Sequence, residues 1–185
     1  MIEVEVKAKI IDFKSIKREL KRINALQIRK EHQKDIYFDS PFKNFAKTDE
    51  ALRIRKISIK NDINTFITYK GPKIDHNSKT REEIEIAIGD RYKICKLLEN
   101  LGFKKANIVV KNREIYKLNQ YIICLDDVEG LSPYMEIEVD LKNGNDFKPA
   151  LDGIFETFKK LGIVNGFERR SYLELLEKNL NEQAK

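Results

Sequence analysis

The chain has no apolar run long enough to span a bilayer, and nothing ahead of Glu3 reads as a secretion signal. These absences exclude a helical membrane protein and make the cytoplasm the expected location. Cysteine is scarce. Cys95 and Cys124 stand alone in apolar surroundings without metal-ligand spacing, so buried reduced thiols are expected rather than a zinc site. The two histidines, His32 and His76, lie far apart in expected loops and read as surface residues. Only four prolines and eight glycines punctuate the chain, with no long linker and no low-complexity stretch. A single domain spanning 1–185 is the expected organisation, long enough to bury a sizeable core.

Charge is plentiful. Charged residues make up 36% of the chain, 36 Lys and Arg against 30 Asp and Glu, for a net charge of +6. A basic balance points to an anionic partner: nucleic acid, a membrane surface or a phosphorylated small molecule.

Eight strands and four helices are predicted. The strands are residues 2–10, 34–40, 51–59, 63–70, 81–88, 107–118, 121–128 and 134–141. Gly71-Pro72 closes the fourth strand, and residues 73–79 form a polar loop. Asp12 caps a helix through about Ala25. Asp90 caps a second through Leu101, stopped by Gly102. Asp146 starts a third carrying Phe147, Leu151, Phe155 and Phe158, and Ser171 with Glu174 forms a capping box for Tyr172–Leu180. The helices in 146–180 are expected to pack on the outside of the sheet, with a homodimer interface as the alternative place for the last one. Successive hairpins make the sheet antiparallel, and eight strands suffice to close a barrel and remove its edges.

The strands divide by parity. Glu3, Glu5 and Lys7 alternate with Ile2, Val4 and Val6; Arg81, Glu83 and Glu85 with Ile84, Ile86 and Ile88; Glu136, Glu138 and Asp140 with Ile137, Val139 and Leu141. Arg53 and Arg55 alternate with Leu52 and Ile54, and Lys111 and Arg113 share one parity. Asp126 shares a face with Cys124 and Val128. A one-sided sheet with its charges in water explains any single strand. It does not explain why Glu pairs and Arg pairs recur at the same parity in a basic chain. If the barrel closes with apolar faces outward under the helices, the charged faces line a tunnel. Its carboxylates suit a hard divalent cation, Mg²⁺ or Mn²⁺, and its Arg and Lys suit phosphate oxygens.

The ordered set of motifs resembles the CYTH superfamily, which takes its name from CyaB-type class IV adenylyl cyclases and thiamine triphosphatases. Glu-x-Glu-x-Lys opens the chain. Gln33-Lys34-Asp35-Ile36-Tyr37-Phe38-Asp39, Thr48-Asp49-Glu50-Ala51-Leu52-Arg53-Ile54-Arg55, Tyr69-Lys70-Gly71 and Arg81-Glu82-Glu83-Ile84-Glu85 follow. Lys111-Asn112-Arg113, Leu125-Asp126-Asp127-Val128, Glu136-Ile137-Glu138 and Arg170-Ser171-Tyr172-Leu173-Glu174 complete it. The resemblance covers nearly the whole chain. It implies an α+β fold, an eight-stranded antiparallel tunnel that binds the triphosphate of a substrate beside Mg²⁺ or Mn²⁺. By position it implies metal-side carboxylates at Glu3, Glu5, Glu136, Glu138 and Asp126. It implies phosphate binding by Lys7, Arg53, Arg55, Lys70, Arg81, Lys111 and Arg113, and roles in the chemistry for Lys7, Glu83, Glu85 and Asp126. Lys34 points with Ile36 and Phe38 and reads as structural.

Length and motifs lie nearest the CyaB-like branch, although Leu131-Ser132 stands where many class IV cyclases have Leu-Gly. The resemblance therefore implies ATP cyclisation first, with hydrolysis of thiamine triphosphate, inorganic triphosphate or a nucleoside triphosphate as the alternative. A non-catalytic polyphosphate- or nucleotide-binding module would need fewer carboxylates. Nucleic acid fits the net charge but not the alternation of basic residues with core residues.

Overall fold

The apolar parity of most strands has to be buried, and this chain buries it outward under helices, although Ile63, Ile84 and Ile86 stay exposed on the barrel's outside. A computed structural model describes residues 1–142 and 146–183; the remaining positions of the expected domain, 143–145 and 184–185, lie outside the described residues. Eight strands are present: β1 (Ile2–Lys9), β2 (Leu26–Asp39), β3 (Ala51–Ile59), β4 (Asp62–Lys73), β5 (Arg81–Ala87), β6 (Lys104–Leu118), β7 (Tyr121–Val128) and β8 (Tyr134–Leu141). They close in the order β1-β5-β4-β3-β2-β6-β7-β8, every pair antiparallel. The helices are α1 (Phe13–Arg22), α2 (Phe45–Thr48), α3 (Arg91–Asn100), α4 (Lys148–Lys160) and α5 (Tyr172–Gln183).

The main core lies between the barrel wall and two helices. Val4, Val6, Ala8, Ile123, Leu125, Met135 and Ile137 face out from β1, β7 and β8. They meet Ile16 and Leu20 of α1 and Leu151, Ile154 and Phe158 of α4. A second external core sets Ile36, Phe38 and Ile54 against Cys95 and Leu98 of α3. Each Val, Leu, Ile, Phe or Met among them contributes roughly 1.5–3 kcal/mol on burial. These cores let the barrel keep a charged interior. Both cysteines are free and buried. Among the described residues no helix is long and apolar enough to cross a membrane.

Caps agree with the sequence at three helices. The Asp12 carboxylate accepts from the Ser15 N–H at 2.8 Å, and the Asp90 carboxylate accepts from the N–H groups of Tyr92 and Lys93. Ser171 and Glu174 form the reciprocal box, with N–H to carboxylate at 2.6 Å and N–H to hydroxyl at 3.2 Å.

Other boundaries differ. α1 ends at Arg22 because Asn24 adopts φ +60, which terminates the helix before Ala25. Strand β2 begins at Leu26, eight residues before the predicted Lys34. After Leu26 and Ile28 its first half is a polar run without apolar alternation, but it pairs with β6 from Lys117 onward. β4 runs through Gly71-Pro72 to Lys73, since a bulge between Lys70 and Lys73 accommodates a proline without a ladder donor. α2 is a single turn, capped by Asn44 on the Lys47 N–H, too short to leave a periodic signal. α4 starts at Lys148 with Phe147 at its cap position rather than Asp146. His32 sits on β2 rather than in a loop.

Two features position the interior. First, β1 pairs with β5 only at Ile2↔Glu82 and Glu3↔Arg81. Beyond Glu3, this edge of β1 is covered by loops. Lys79 N–H donates to the Glu5 carbonyl at 2.8 Å, Glu168 N–H to the Lys7 carbonyl at 2.8 Å, and Lys9 N–H to the Gly166 carbonyl at 3.2 Å. Second, α5 does not pack on the barrel's outer wall as predicted. Its Tyr172 and Leu175 join Tyr37, Val109, Val128 and Tyr134, all of inward parity, and so cover one end of the barrel. These inward positions are apolar at that end and require cover.

Candidate active site

Period-2 alternation sends every residue singled out by parity to the inside of one closed barrel. Register then sets the neighbours: Glu5 lies opposite Glu138, Lys7 opposite Glu136, Arg55 opposite Asp35, Lys70 opposite Glu83, and Arg113 opposite Asp126. Within lies a cavity of about 310 Å³, lined by Glu3, Glu5, Arg53, Arg55, Lys70, Arg81, Glu83, Glu85, Lys111, Arg113, Glu136 and Glu138. Lys7 and Asp126 are placed behind this lining.

Buried charge is tolerated only when paired. Asp35 accepts two hydrogen bonds from Arg55, at 2.8 and 2.6 Å, with Arg53 at 3.6 Å. Burial opposes its charge, but Arg55, Arg53 and Lys111 outweigh it and hold the carboxyl well below the usual range. Arg53 also approaches Glu83 and Glu85 at 3.7 and 3.9 Å. Its Nε is buried without a hydrogen-bond partner among the described residues, so a donor stays available in the cavity wall. Lys70 bridges Glu3, at 2.6 Å, and Glu83. Glu85 accepts from the Thr68 hydroxyl at 2.9 Å and is more open than Glu83, the other inward carboxylate of β5. Arg81 reaches Asp49 at 3.9 Å.

On the opposite wall Arg113 grips Asp126 through its Nε–H and one terminal N–H, at 2.6 and 2.5 Å, and also donates to Glu136. Asp126 is fully buried and further accepts from Lys111 at 3.3 Å and the Tyr172 hydroxyl at 2.8 Å. Burial, then Asp126 and Glu136, push the Tyr172 phenol well up and keep it a donor. Burial and the Arg113 charge pull Lys111 down. Lys7 is turned away from the cavity. Its ammonium donates to the Arg170 carbonyl and lies 4.1 Å from the centre of the Tyr172 ring. Burial and the Lys79 charge lower its pKa to about 7.

The carboxylates divide by how well they are neutralised. Glu136 has Lys79 and Arg113 and stays well below the ordinary range despite burial. Glu5 is raised by burial and by Glu136, against the pull of Lys79. Glu138 has its nearest cation, Arg113, at 4.0 Å. Burial pushes it up to about 8, and the Glu3, Glu5 and Glu136 carboxylates add to the rise. Hard oxygen donors short of positive charge match what a divalent cation of the Mg²⁺ class requires. Among the described residues, however, no three such side chains already meet in a ready-made metal site. Lys79 stands between Glu5 and Glu136.

Among the interior residues that sequence reasoning missed are Asp35, Lys79 and Tyr172. Asp35 lay within a quoted motif, and its parity with Tyr37 was the signal. Lys79 falls in the loop read as merely polar, where no periodicity exists to find it. Tyr172 was expected in a terminal helix packed on the outside of the sheet.

A CYTH domain profile matches residues 1–172. The protein MJ0240 of Methanocaldococcus jannaschii, provisionally named an adenylate cyclase, is 45% identical over 176 residues, 95% of this chain and 98% of its own. Adenylate cyclase CyaB of Aeromonas hydrophila is 25% identical over 180 residues, 96% of this chain and 90% of its own. The solved structure of PH1819 from Pyrococcus horikoshii OT3 superposes with a TM-score of 0.89 at 43% identity, covering 96% of this chain and 99% of that one. With a profile match over nearly its full length and a charged interior in a closed eight-stranded barrel, the chain belongs to the CYTH family.

Proposed function

We propose that this protein is an enzyme that binds a triphosphate-bearing substrate in the tunnel together with Mg²⁺ or Mn²⁺, and that its reaction is the cyclisation of ATP to cyclic AMP and pyrophosphate. The observation that carries the reading is a closed interior holding both phosphate-binding cations and carboxylates. Arg53, Arg55, Lys111 and Arg113 line the same cavity as Glu3, Glu5, Glu136 and Glu138, and among these carboxylates Glu5 and Glu138 are short of positive charge. The arginines bind phosphate oxygens bidentately and stabilise charge as it builds on the leaving pyrophosphate. Asp35 and Asp126 pre-orient Arg55 and Arg113 through paired hydrogen bonds. In the cyclase reaction the ribose 3′-oxygen bonds to the α-phosphorus, the bond from that phosphorus to the bridging oxygen breaks, and the hydroxyl proton passes to a carboxylate. Glu85, the more open of the β5 pair, suits that role, while Glu83 holds Lys70 and Arg53. A divalent cation would be held by Glu3, Glu5, Glu136 and Glu138, where it would supply charge neutralisation to the phosphates and acidify a nucleophilic hydroxyl.

Cyclisation is preferred over hydrolysis because the full-length relatives bear adenylate cyclase names. The cavity also adds Phe45, Ala46, Leu52 and Leu173 to its charged lining, which favours a substrate with an apolar head over inorganic triphosphate. The second reading is a triphosphatase. The same cations would serve water attacking the terminal phosphorus, giving a diphosphate and phosphate.

The test is product analysis by ion-exchange chromatography after separate incubation with ATP, thiamine triphosphate and inorganic triphosphate, each with Mg²⁺ or Mn²⁺. Cyclic AMP with pyrophosphate is the expected result. Orthophosphate led by another substrate replaces cyclisation by hydrolysis on the same site. Turnover of none, or full activity in a Glu3→Ala, Glu5→Ala double variant, overturns the metal-dependent reading.

A further inference from the structure

Lys79 differs from every other cation of the tunnel in its origin. The others project from strands; Lys79 is delivered by the loop between β4 and β5, in the stretch where that loop replaces β5 along the edge of β1. Its backbone is fixed there by the hydrogen bond to the Glu5 carbonyl. The loop around it is tied by the Ile74 N–H to Thr80 carbonyl bond at 2.9 Å. Arg169 also donates to the carbonyls of Asp75 at 2.6 Å and Ser78 at 3.1 Å. From this fixed base the side chain enters the barrel, almost wholly buried, and donates to Glu5 and, at 2.9 Å, to Glu136. Burial disfavours its charge, but Glu136 and Glu5 outweigh burial and raise its pKa.

We propose that Lys79 is a tethered stand-in for the divalent cation. It neutralises Glu5 and Glu136 in the metal-free protein, is displaced when a metal reaches them, and so sets the protein's metal affinity. This rests on the reading of the interior carboxylates as metal ligands. An ammonium and a metal ion cannot share the wedge between two carboxylates, since the metal needs those oxygens at about 2.0–2.1 Å. Exchange of one cation for the other keeps the buried carboxylates compensated in both states and avoids the cost of an unpaired buried charge. The flexible four-carbon stem permits the exchange while the backbone stays bonded to Glu5.

The experiment is Mn²⁺ titration of the nucleotide-free protein, followed by electron paramagnetic resonance of free Mn²⁺, on wild type, Lys79→Gln and Lys79→Arg. Thermal unfolding of each is recorded with and without Mn²⁺. Lys79→Gln is expected to bind Mn²⁺ about tenfold tighter or more, since a unit charge within a few ångströms of a divalent ion opposes it that strongly even with water-like screening. Lys79→Arg, which keeps the charge, is expected to stay near wild type. Mn²⁺ is also expected to raise the melting temperature of Lys79→Gln by more than that of wild type, because binding to the folded state alone stabilises it. If Lys79→Gln folds only with Mn²⁺, the inference is supported; if it does not fold even then, the inference fails. An affinity equal to or weaker than wild type in a folded Lys79→Gln overturns the role of Lys79 and leaves the proposed function standing. Absence of Mn²⁺ binding in all three proteins overturns both.

Discussion

Asp126→Asn is the sharpest single test of the tunnel's construction. Asp126 is fully buried and accepts twice from Arg113, from Lys111 and from the Tyr172 hydroxyl, which ties β6, β7 and α5 at one point. Asparagine preserves volume and one carbonyl acceptor but removes the charge and turns an acceptor into a donor facing Arg113. The guanidinium then keeps only Glu136 as a close partner, with Glu138 at 4.0 Å. Breaking a buried pair by removing one member costs about 3–5 kcal/mol. For a chain of this size that lowers the melting temperature by roughly 6–20 °C. Urea unfolding read by circular dichroism measures it, with an unchanged slope required for the comparison. Replacing both partners, Asp126→Asn with Arg113→Met, should recover part of the loss, because no guanidinium is then left unpaired. A single-variant loss below about 1 kcal/mol at unchanged slope would refute the view that paired charges hold this wall together.

Glu138, with its pKa raised to about 8, is mostly protonated at pH 7 and must lose that proton to bind a cation, so apparent Mn²⁺ affinity should rise about tenfold per pH unit up to about 8 and then flatten. Titrations at several pH values check this, and Glu138→Gln should remove the slope. Lys7 is depressed to about 7 in the folded state against 10.5 for the free side chain, so between those values the unfolded chain binds more protons and stability increases with pH. Urea unfolding at pH 6.5 and 9.5 should show a contribution of at most about 1.4 kcal/mol per pH unit that Lys7→Met abolishes. Gly153→Ala on α4 would place its Cβ 1.9 Å from the Tyr121 hydroxyl oxygen, and the overpacking should destabilise the fold by about 1–3 kcal/mol in the same assay.

Most of the strands and the charged parity were legible in the residues, because the direction of a strand side chain alternates locally and needs no knowledge of partners; closure of the antiparallel barrel was allowed by the strand count and implied by the resemblance. Glu3, Glu5, Arg53, Arg55, Glu83, Glu136 and Glu138 could therefore be assigned to one surface from spacing alone. The first half of β2 and the single turn of α2 escaped because two alternating apolar residues, Leu26 and Ile28, and a single turn are too short to read as a period. Asp35 escaped because one carboxylate in a motif reveals no partner until Arg55 lies opposite it. The tertiary structure was needed for everything that joins residues distant in the chain. It turned Tyr172 into the cover of one barrel end, brought Lys79 from a loop into the wedge between Glu5 and Glu136, and crowded Glu138 with carboxylates from β1 and its own strand. Charge interactions depend on distance through space and on burial, and neither is encoded in the spacing of residues along a strand.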